Sequence, residues 1–160
     1  MNLKGKNKGI GGHHSGSART NEWLTPPSII NSLGEFDLDP CSPINRPWPT
    51  AKDHFTILDN GLSKEWAGRV WLNPPYGREI ERWMNKLQFH GNGIALTFAR
   101  TETNFFFDHI WSKADSILFI KGRLHFYTVD GKVAKSDSGA PSVLIAYGEN
   151  NTDAIDQSGI

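Results

Sequence analysis

The chain has 160 residues, 38% of them apolar, with six tryptophans and equal numbers of acidic and basic side chains, so its formal net charge is zero. That length and apolar content suit one folded domain with a real core and exclude a disordered chain. A single cysteine, Cys41, excludes an internal disulfide framework and fits a reducing cytoplasm. No apolar run is long enough to span a bilayer, and the N-terminal lysines lead into no apolar signal segment. Neutral charge is compatible with a nucleic-acid partner if the basic residues gather on one face.

Residues 1–20 are rich in Gly, Ser and Lys and carry no acid. They read as a flexible basic tail, either a solubilising leader or an arm that contacts phosphates. His13 and His14 have no Cys or carboxylate company, so no metal site is expected there, and the isolated His54, His90, His109 and His125 lack ligand spacing as well. Residues 21–148 carry the periodic segments and form the expected domain, and 149–160 read as a polar, acidic tail.

Thr25-Pro26 predicts a helix start, with a hydroxyl N-cap and a proline at the first helical position. Ile29, Ile30 and Leu33 give its apolar face, and Gly34 a stop. Phe36 to Leu38 predicts a short strand that ends at Asp39-Pro40. An acid there either binds a polar ligand group or caps a turn. Residues 43–60 form a long irregular segment with Pro43, Pro47 and Pro49. Within it, Arg46, Trp48 and Lys52 make either a cation–aromatic surface for unstacked bases or a stiff cover packed by Trp48. Asp59 either reaches a ligand or starts a turn, and Ser63 predicts the cap of a short helix through Trp66.

Val70-Trp71-Leu72 is an apolar strand that runs into Asn73-Pro74-Pro75-Tyr76-Gly77. Prolines cannot donate to a sheet ladder, so the strand stops there. A residue before a proline is pushed to extended φ/ψ, so no helix begins at Asn73 or Pro74. The result is a stiff elbow at the C-terminal end of a strand, where open α/β sheets bind ligands. Asn73 offers a side-chain carbonyl and Pro74 a backbone carbonyl, two acceptors for the two hydrogens of one planar amino group. Tyr76 adds a flat face on which a ring can stack.

Ile80, Trp83, Met84 and Leu87 predict an amphipathic helix, with Arg78, Glu79, Glu81, Arg82 and Lys86 on its solvated side. Gly93 to Phe98 predicts a buried strand, and Thr103 caps a helix whose Phe106, Phe107, Ile110 and Trp111 face the core. Ser116 to Ile120, Leu124 to Val129 and Val143 to Tyr147 predict the last strands, with a hairpin turn at Asp130-Gly131.

Asn73-Pro74-Pro75-Tyr76 resembles the catalytic motif of amino-group DNA methyltransferases. Trp23-Leu24-Thr25-Pro26, Phe36-Asp37-Leu38-Asp39-Pro40-Cys41-Ser42 and Gly122-Arg123-Leu124-His125-Phe126 resemble the small phage-type DNA N6-adenine methyltransferase (Dam-type) family. The similarity covers about residues 21 to 148. It implies a reduced Rossmann-like fold for S-adenosylmethionine, a mostly parallel sheet with an antiparallel C-terminal hairpin, and no separate target-recognition domain. It implies Asn73, Pro74, Pro75 and Tyr76 as the catalytic set. It places Thr25 and Pro26 at the cofactor's methionine moiety, Asp39, Pro40 and Cys41 in the first cofactor-binding motif, and Asp59 and Asn73 beside the cofactor. It makes Arg123 and Phe126 candidates to flank the target base, although an ordinary alternating strand explains them equally. Many methyltransferases carry a Gly-x-Gly pair after the first acid, whereas Cys41-Ser42-Pro43-Ile44-Asn45 has no glycine.

The expected function is methyl transfer from S-adenosylmethionine to N6 of a flipped-out adenine in double-stranded DNA, with no metal, in the cytoplasm of the cell. Tyr76, Arg123, Phe126, Arg46 and Trp48 are the expected substrate contacts. The alternatives are another amino or amide acceptor (RNA adenine or protein glutamine) and a DNA-binding module with a degenerate cofactor pocket.

Overall fold

The structure, a computed structural model, describes residues 22–160. The expected basic tail, with His13 and His14, lies outside the described residues. Helix α1 (Pro27–Leu33) begins one residue later than the sequence suggests. Pro27 forces Pro26 into an extended conformation, so Pro26 is the N-cap and the Thr25 hydroxyl makes no cap hydrogen bond. Thr25 is thereby left for another task, although it is almost fully buried.

Strands β1 (Leu38–Asp39), β2 (Asp53–His54), β3 (Val70–Leu72), β4 (Gly93–Phe98), β5 (Ser116–Phe119) and β6 (Ser142–Tyr147) form a six-stranded sheet in the order β2-β1-β3-β4-β6-β5. The β1–β2, β1–β3 and β3–β4 pairs are parallel. Strand β6 is antiparallel to both β4 and β5, so the chain ends in antiparallel pairing inside an otherwise parallel sheet. The pleat sends alternate side chains to opposite faces. Val70, Leu72, Ala95, Val143 and Ile145 pack on one face with Trp83, Met84 and Leu87 of α2 (Ile80–His90). Trp71, Ile94, Leu96, Leu144 and Ala146 pack on the other with Ile29, Ile30 and Leu33 of α1. The fold is a mixed α/β sandwich with helices on both faces.

Four segments depart from expectation. The stretch 124–129 forms no sheet strand; Tyr127 makes only isolated bridges to Leu24 and Val133. Both neighbours of β6 are already taken by β4 and β5, so this segment leaves the sheet and crosses to the α1 side. The turn foreseen at Asp130-Gly131 is present: Gly131, at φ +79°, donates its N–H to the Thr128 carbonyl. Helix α3 (Asn104–Phe106) is capped by Thr103 as expected, but it widens into a π turn over Phe107–Trp111. In that wider turn only Phe106 and Ile110 stay buried, while Phe107 and Trp111 turn outward. Ser63 ends a short 3-10 turn (Gly61–Ser63) and does not start a helix; its hydroxyl donates back to the Asn60 carbonyl.

The C-terminal segment is also not a tail. Residues Glu149–Gln157 form helix α4, which buries Ile155 and Asn151. The Asn151 side chain accepts from Arg69 Nε at 2.7 Å and donates to Asn92 Oδ1 and the Tyr147 carbonyl. These hydrogen bonds dock a helix that has few apolar residues of its own.

Candidate active site

Strand β1 lies between β2 on one side and β3 on the other. The chain order reverses at this point, and a crevice opens beyond the C-terminal ends of the two central strands. Asp39 ends β1, and Asn73 follows the last residue of β3. A cavity of about 600 Å³ lies there, lined by Thr25, Asp39, Cys41, Gly61, Asn73 and Tyr76 among others. That is the size of a site for a cofactor-sized ligand.

The elbow fixes the orientation of the Asn73 amide. Its Nδ2 donates to the Trp23 carbonyl and to Thr25 Oγ1, at 3.4 Å each. A carbonyl such as that of Trp23 can only accept, so the amide nitrogen must face it. The Asn73 Oδ1 is left buried without a partner among the described residues. An unpaired buried acceptor costs about 1–3 kcal/mol and calls for a donor. The N-terminal stretch therefore acts on the elbow itself: it turns the carboxamide so that the acceptor stays free. Cys41 adds a second tie, its thiol donating to the Asn73 backbone carbonyl at 3.2 Å. Burial and the neighbouring Asp39 push that thiol well above its ordinary value, so it remains a protonated donor.

Asp39 is 3% exposed. Its carboxylate accepts from Thr50 Oγ1 and, at 3.2 Å, from the Cys41 N–H. Burial pushes its pKa up to about 6, while the Thr50 hydroxyl, the Cys41 N–H and Arg46 pull it down. His54 holds this corner by accepting the Thr50 and Ala51 N–H groups on Nε2. A glycine from farther along the chain packs against this end of β1. A Cβ on Gly61 would sit 2.0 Å from the Pro40 carbonyl oxygen, so only glycine lets the 3-10 turn press against the end of β1. Trp66 Nε1 donates to the Gly61 carbonyl and Lys86 Nζ to that of Leu62, which ties this turn to α2.

Pro74, Pro75 and Tyr76 complete the lining. The Tyr76 ring stacks on Phe98, with centroids 4.1 Å apart and planes 4° apart. Phe98 is the last residue of β4, and it backs the tyrosine from outside the cavity lining.

The remaining sequence candidates are dispersed. Thr25, Asp39, Pro40, Cys41 and Asn73 come together around the cavity, with Trp23 and Leu24 but not Pro26 beside them. Asp59 does not line it; its carboxylate closes a turn by accepting from the Thr56 N–H and hydroxyl. Arg46 folds back onto the Pro43 carbonyl, and Trp48 packs edge-on against Tyr127, as a loop cover does. Phe126 is 6% exposed and belongs to the core on the α1 face, so it does not flank the cavity; Arg123 is exposed and does not line it. Gly61, Thr50, Phe98 and Trp83 are site residues that sequence reasoning did not single out. No pattern marks Thr50 or Phe98. Gly61 was visible only as part of a turn, and Trp83 only as one position of a helix face.

Among the described residues no group of His, Cys, Asp or Glu could hold a metal ion, and no helix is long and apolar enough to cross a membrane. Comparisons with curated proteins and with solved structures give no match. The family model of the DNA N-6-adenine-methyltransferases (Dam) matches residues 13–155, nearly the whole chain, and the chain therefore belongs to that family.

Proposed function

We propose that the chain transfers a methyl group from S-adenosylmethionine to N6 of an adenine flipped out of duplex DNA, using Asn73, Pro74 and Tyr76 in a reduced Rossmann-like domain. One observation carries this reading: the Asn73 Oδ1 is buried, unpaired and held at the crevice of an α/β sheet, on an elbow whose next residue supplies a second carbonyl. The fit to the cofactor rests on the cavity's lining. It offers polar groups at Thr25 and Asp39 and a largely apolar far wall at Ile57 and Leu62.

S-adenosylmethionine, when bound, supplies an electrophilic methyl group and a thioether leaving group. The protein's part is to hold and activate the amine. The N6 lone pair is delocalised into the adenine ring and is a poor nucleophile. Asn73 Oδ1 and the Pro74 carbonyl accept its two N–H bonds, which favours a tetrahedral nitrogen with its lone pair free to attack. Positive charge grows on that nitrogen during attack, so the same acceptors bind the transition state more tightly than the ground state. One N–H proton then leaves to water and restores a neutral amine. Adenine N6 lies inside the duplex stack and must be extruded, which costs a few kcal/mol. Stacking on Tyr76 returns about 1–3 kcal/mol per base. The tyrosine is itself propped by Phe98, which stacks on one face of its ring.

Tritium transfer from labelled S-adenosylmethionine to unmethylated duplex DNA, with nucleoside analysis, tests the reading. Labelled N6-methyldeoxyadenosine is expected from the wild type. Asn73→Ala is expected to keep cofactor binding by calorimetry and lose transfer by about 100-fold or more. Near wild-type turnover in that variant, or label appearing in RNA or a glutamine-bearing peptide and not in DNA, overturns it.

A further inference from the structure

A residue that lines the cavity carries a second unpaired polar atom, and it is a donor. Trp83 projects from α2, is 7% exposed and lines the cavity, yet its indole Nε1 is buried with no hydrogen-bond partner among the described residues. Its neighbours show that this is not a general habit of the chain's indoles. Trp66, which stacks on Trp83 with centroids 6.1 Å apart, donates its own Nε1 to the Gly61 carbonyl. Trp111 donates to the Thr101 carbonyl. Trp48 also has an unpaired Nε1, but it lies outside the cavity lining. An indole N–H can only donate, and burial without an acceptor is costly. A ligand that fills the cavity is the natural source of that acceptor.

The surroundings select the kind of acceptor. Trp83 is on α2, which packs against the 3-10 turn, and Gly61 and Leu62 of that turn line the same cavity. Trp23 and Thr25 engage the Asn73 amide, so the wall they form belongs to the elbow and not to this corner. Leu62 and Ile57 offer apolar surface to a flat heteroaromatic ring, and such a ring, meeting Trp83 edge to edge, presents an in-plane nitrogen lone pair to the indole N–H. We propose that Trp83 binds the cofactor's adenine through its indole N–H, which donates to a ring nitrogen. This inference rests on the proposed use of S-adenosylmethionine.

The test separates the two. Calorimetry with S-adenosylhomocysteine first establishes that the wild-type protein binds the cofactor skeleton. Absence of binding overturns both readings. Trp83→Phe keeps a ring and removes the N–H, and it is expected to weaken S-adenosylhomocysteine and methylthioadenosine equally, about five- to tenfold. The second ligand lacks the amino-acid end, so an equal loss locates the contact on the adenosine side. On the ligand side, 1-deaza, 3-deaza and 7-deaza analogues replace one ring nitrogen each by CH. One of them is expected to bind the wild type about five- to tenfold more weakly. In Trp83→Phe that analogue and its parent should bind alike. Wild-type binding unchanged across all three analogues overturns the inference even if the variant fails to fold. So does a Trp83→Phe protein that binds both parent ligands within twofold of the wild type, or one that loses affinity for S-adenosylhomocysteine alone.

Discussion

Replacement of Gly61 by alanine tests how the far wall of the cavity is positioned. The added Cβ would lie 2.0 Å from the Pro40 carbonyl oxygen, 3.0 Å from its carbon and 3.4 Å from Phe55 Cβ. An ordinary carbon–oxygen contact is more than an ångström longer than the first of these. The obstacle is backbone, not the end of a flexible side chain, so the 3-10 turn must move away from β1. Overpacking of this kind costs about 1–3 kcal/mol, and the upper end applies to a backbone clash. The stiffer unfolded chain of the alanine variant returns about 0.4–1 kcal/mol. A net loss of about 2 kcal/mol lowers Tm by about 4–8 °C in a domain of this size. The functional effect should exceed the stability effect. Leu62 moves with Gly61, and a displacement of about 1 Å in a binding wall can lower the rate about 100-fold. Thermal unfolding and calorimetry with S-adenosylhomocysteine measure the two separately. A Gly61→Ala protein with unchanged Tm and cofactor affinity within twofold would refute the idea that this glycine positions the far wall.

The Asp39 carboxyl, pushed up to about 6, makes stability depend on pH. Its folded value lies above the unfolded 3.8, so between those values the folded chain binds more proton, and stability should fall as pH rises from about 4 to 6, by about 3 kcal/mol at most. Asp39→Asn should abolish that part of the slope in urea titrations, and an unchanged slope would refute the assignment. Tyr76→Ala should weaken capture of the extruded base about 5- to 100-fold while leaving cofactor affinity unchanged; 2-aminopurine fluorescence at the target position reports it, and an undiminished signal counts against stacking. Phe98→Leu removes the ring behind Tyr76 and should raise KM for DNA about two- to tenfold, from the 0.5–1.5 kcal/mol of an aromatic pair, with kcat little changed. An unaltered KM would make the stack a packing contact only.

The elbow was legible because its chemistry is local. An apolar strand, an asparagine and two prolines dictate a rigid exit whatever surrounds them, and β3 and the turn after it follow that pattern. Helix α2 was legible for the same reason, since Trp83, Met84 and Leu87 repeat at helical spacing. What could not be read depends on distant partners. The α4 segment has a polar sequence, and it folds against the sheet because Arg69 and Asn92 meet Asn151 from far along the chain. Phe126 looked like a strand residue beside a base and is a core residue, because β6 left no free edge for its strand. Thr25 looked like a helix cap. A second proline shifted the helix by one residue and released its hydroxyl to the Asn73 amide.

The same dependence on distant partners explains how so short a sheet supports a cavity. Strands β1 and β2 contribute two residues each, so they cannot wall off a ligand by themselves. The wall is instead the 3-10 turn, and it is held by α2: Trp66 stacks on Trp83, and Lys86 reaches the Leu62 carbonyl. Helix α2 is also the element that follows the elbow, beginning at Ile80 a few residues after Tyr76. One helix therefore braces the far wall and follows the elbow in the chain. Asn73 itself is held by Trp23, Thr25 and Cys41, so under the proposed function the spacing between cofactor and amine rests on two separate supports. A methyl transfer is sensitive to that spacing above all, because its rate depends on the alignment of nitrogen, methyl and sulfur.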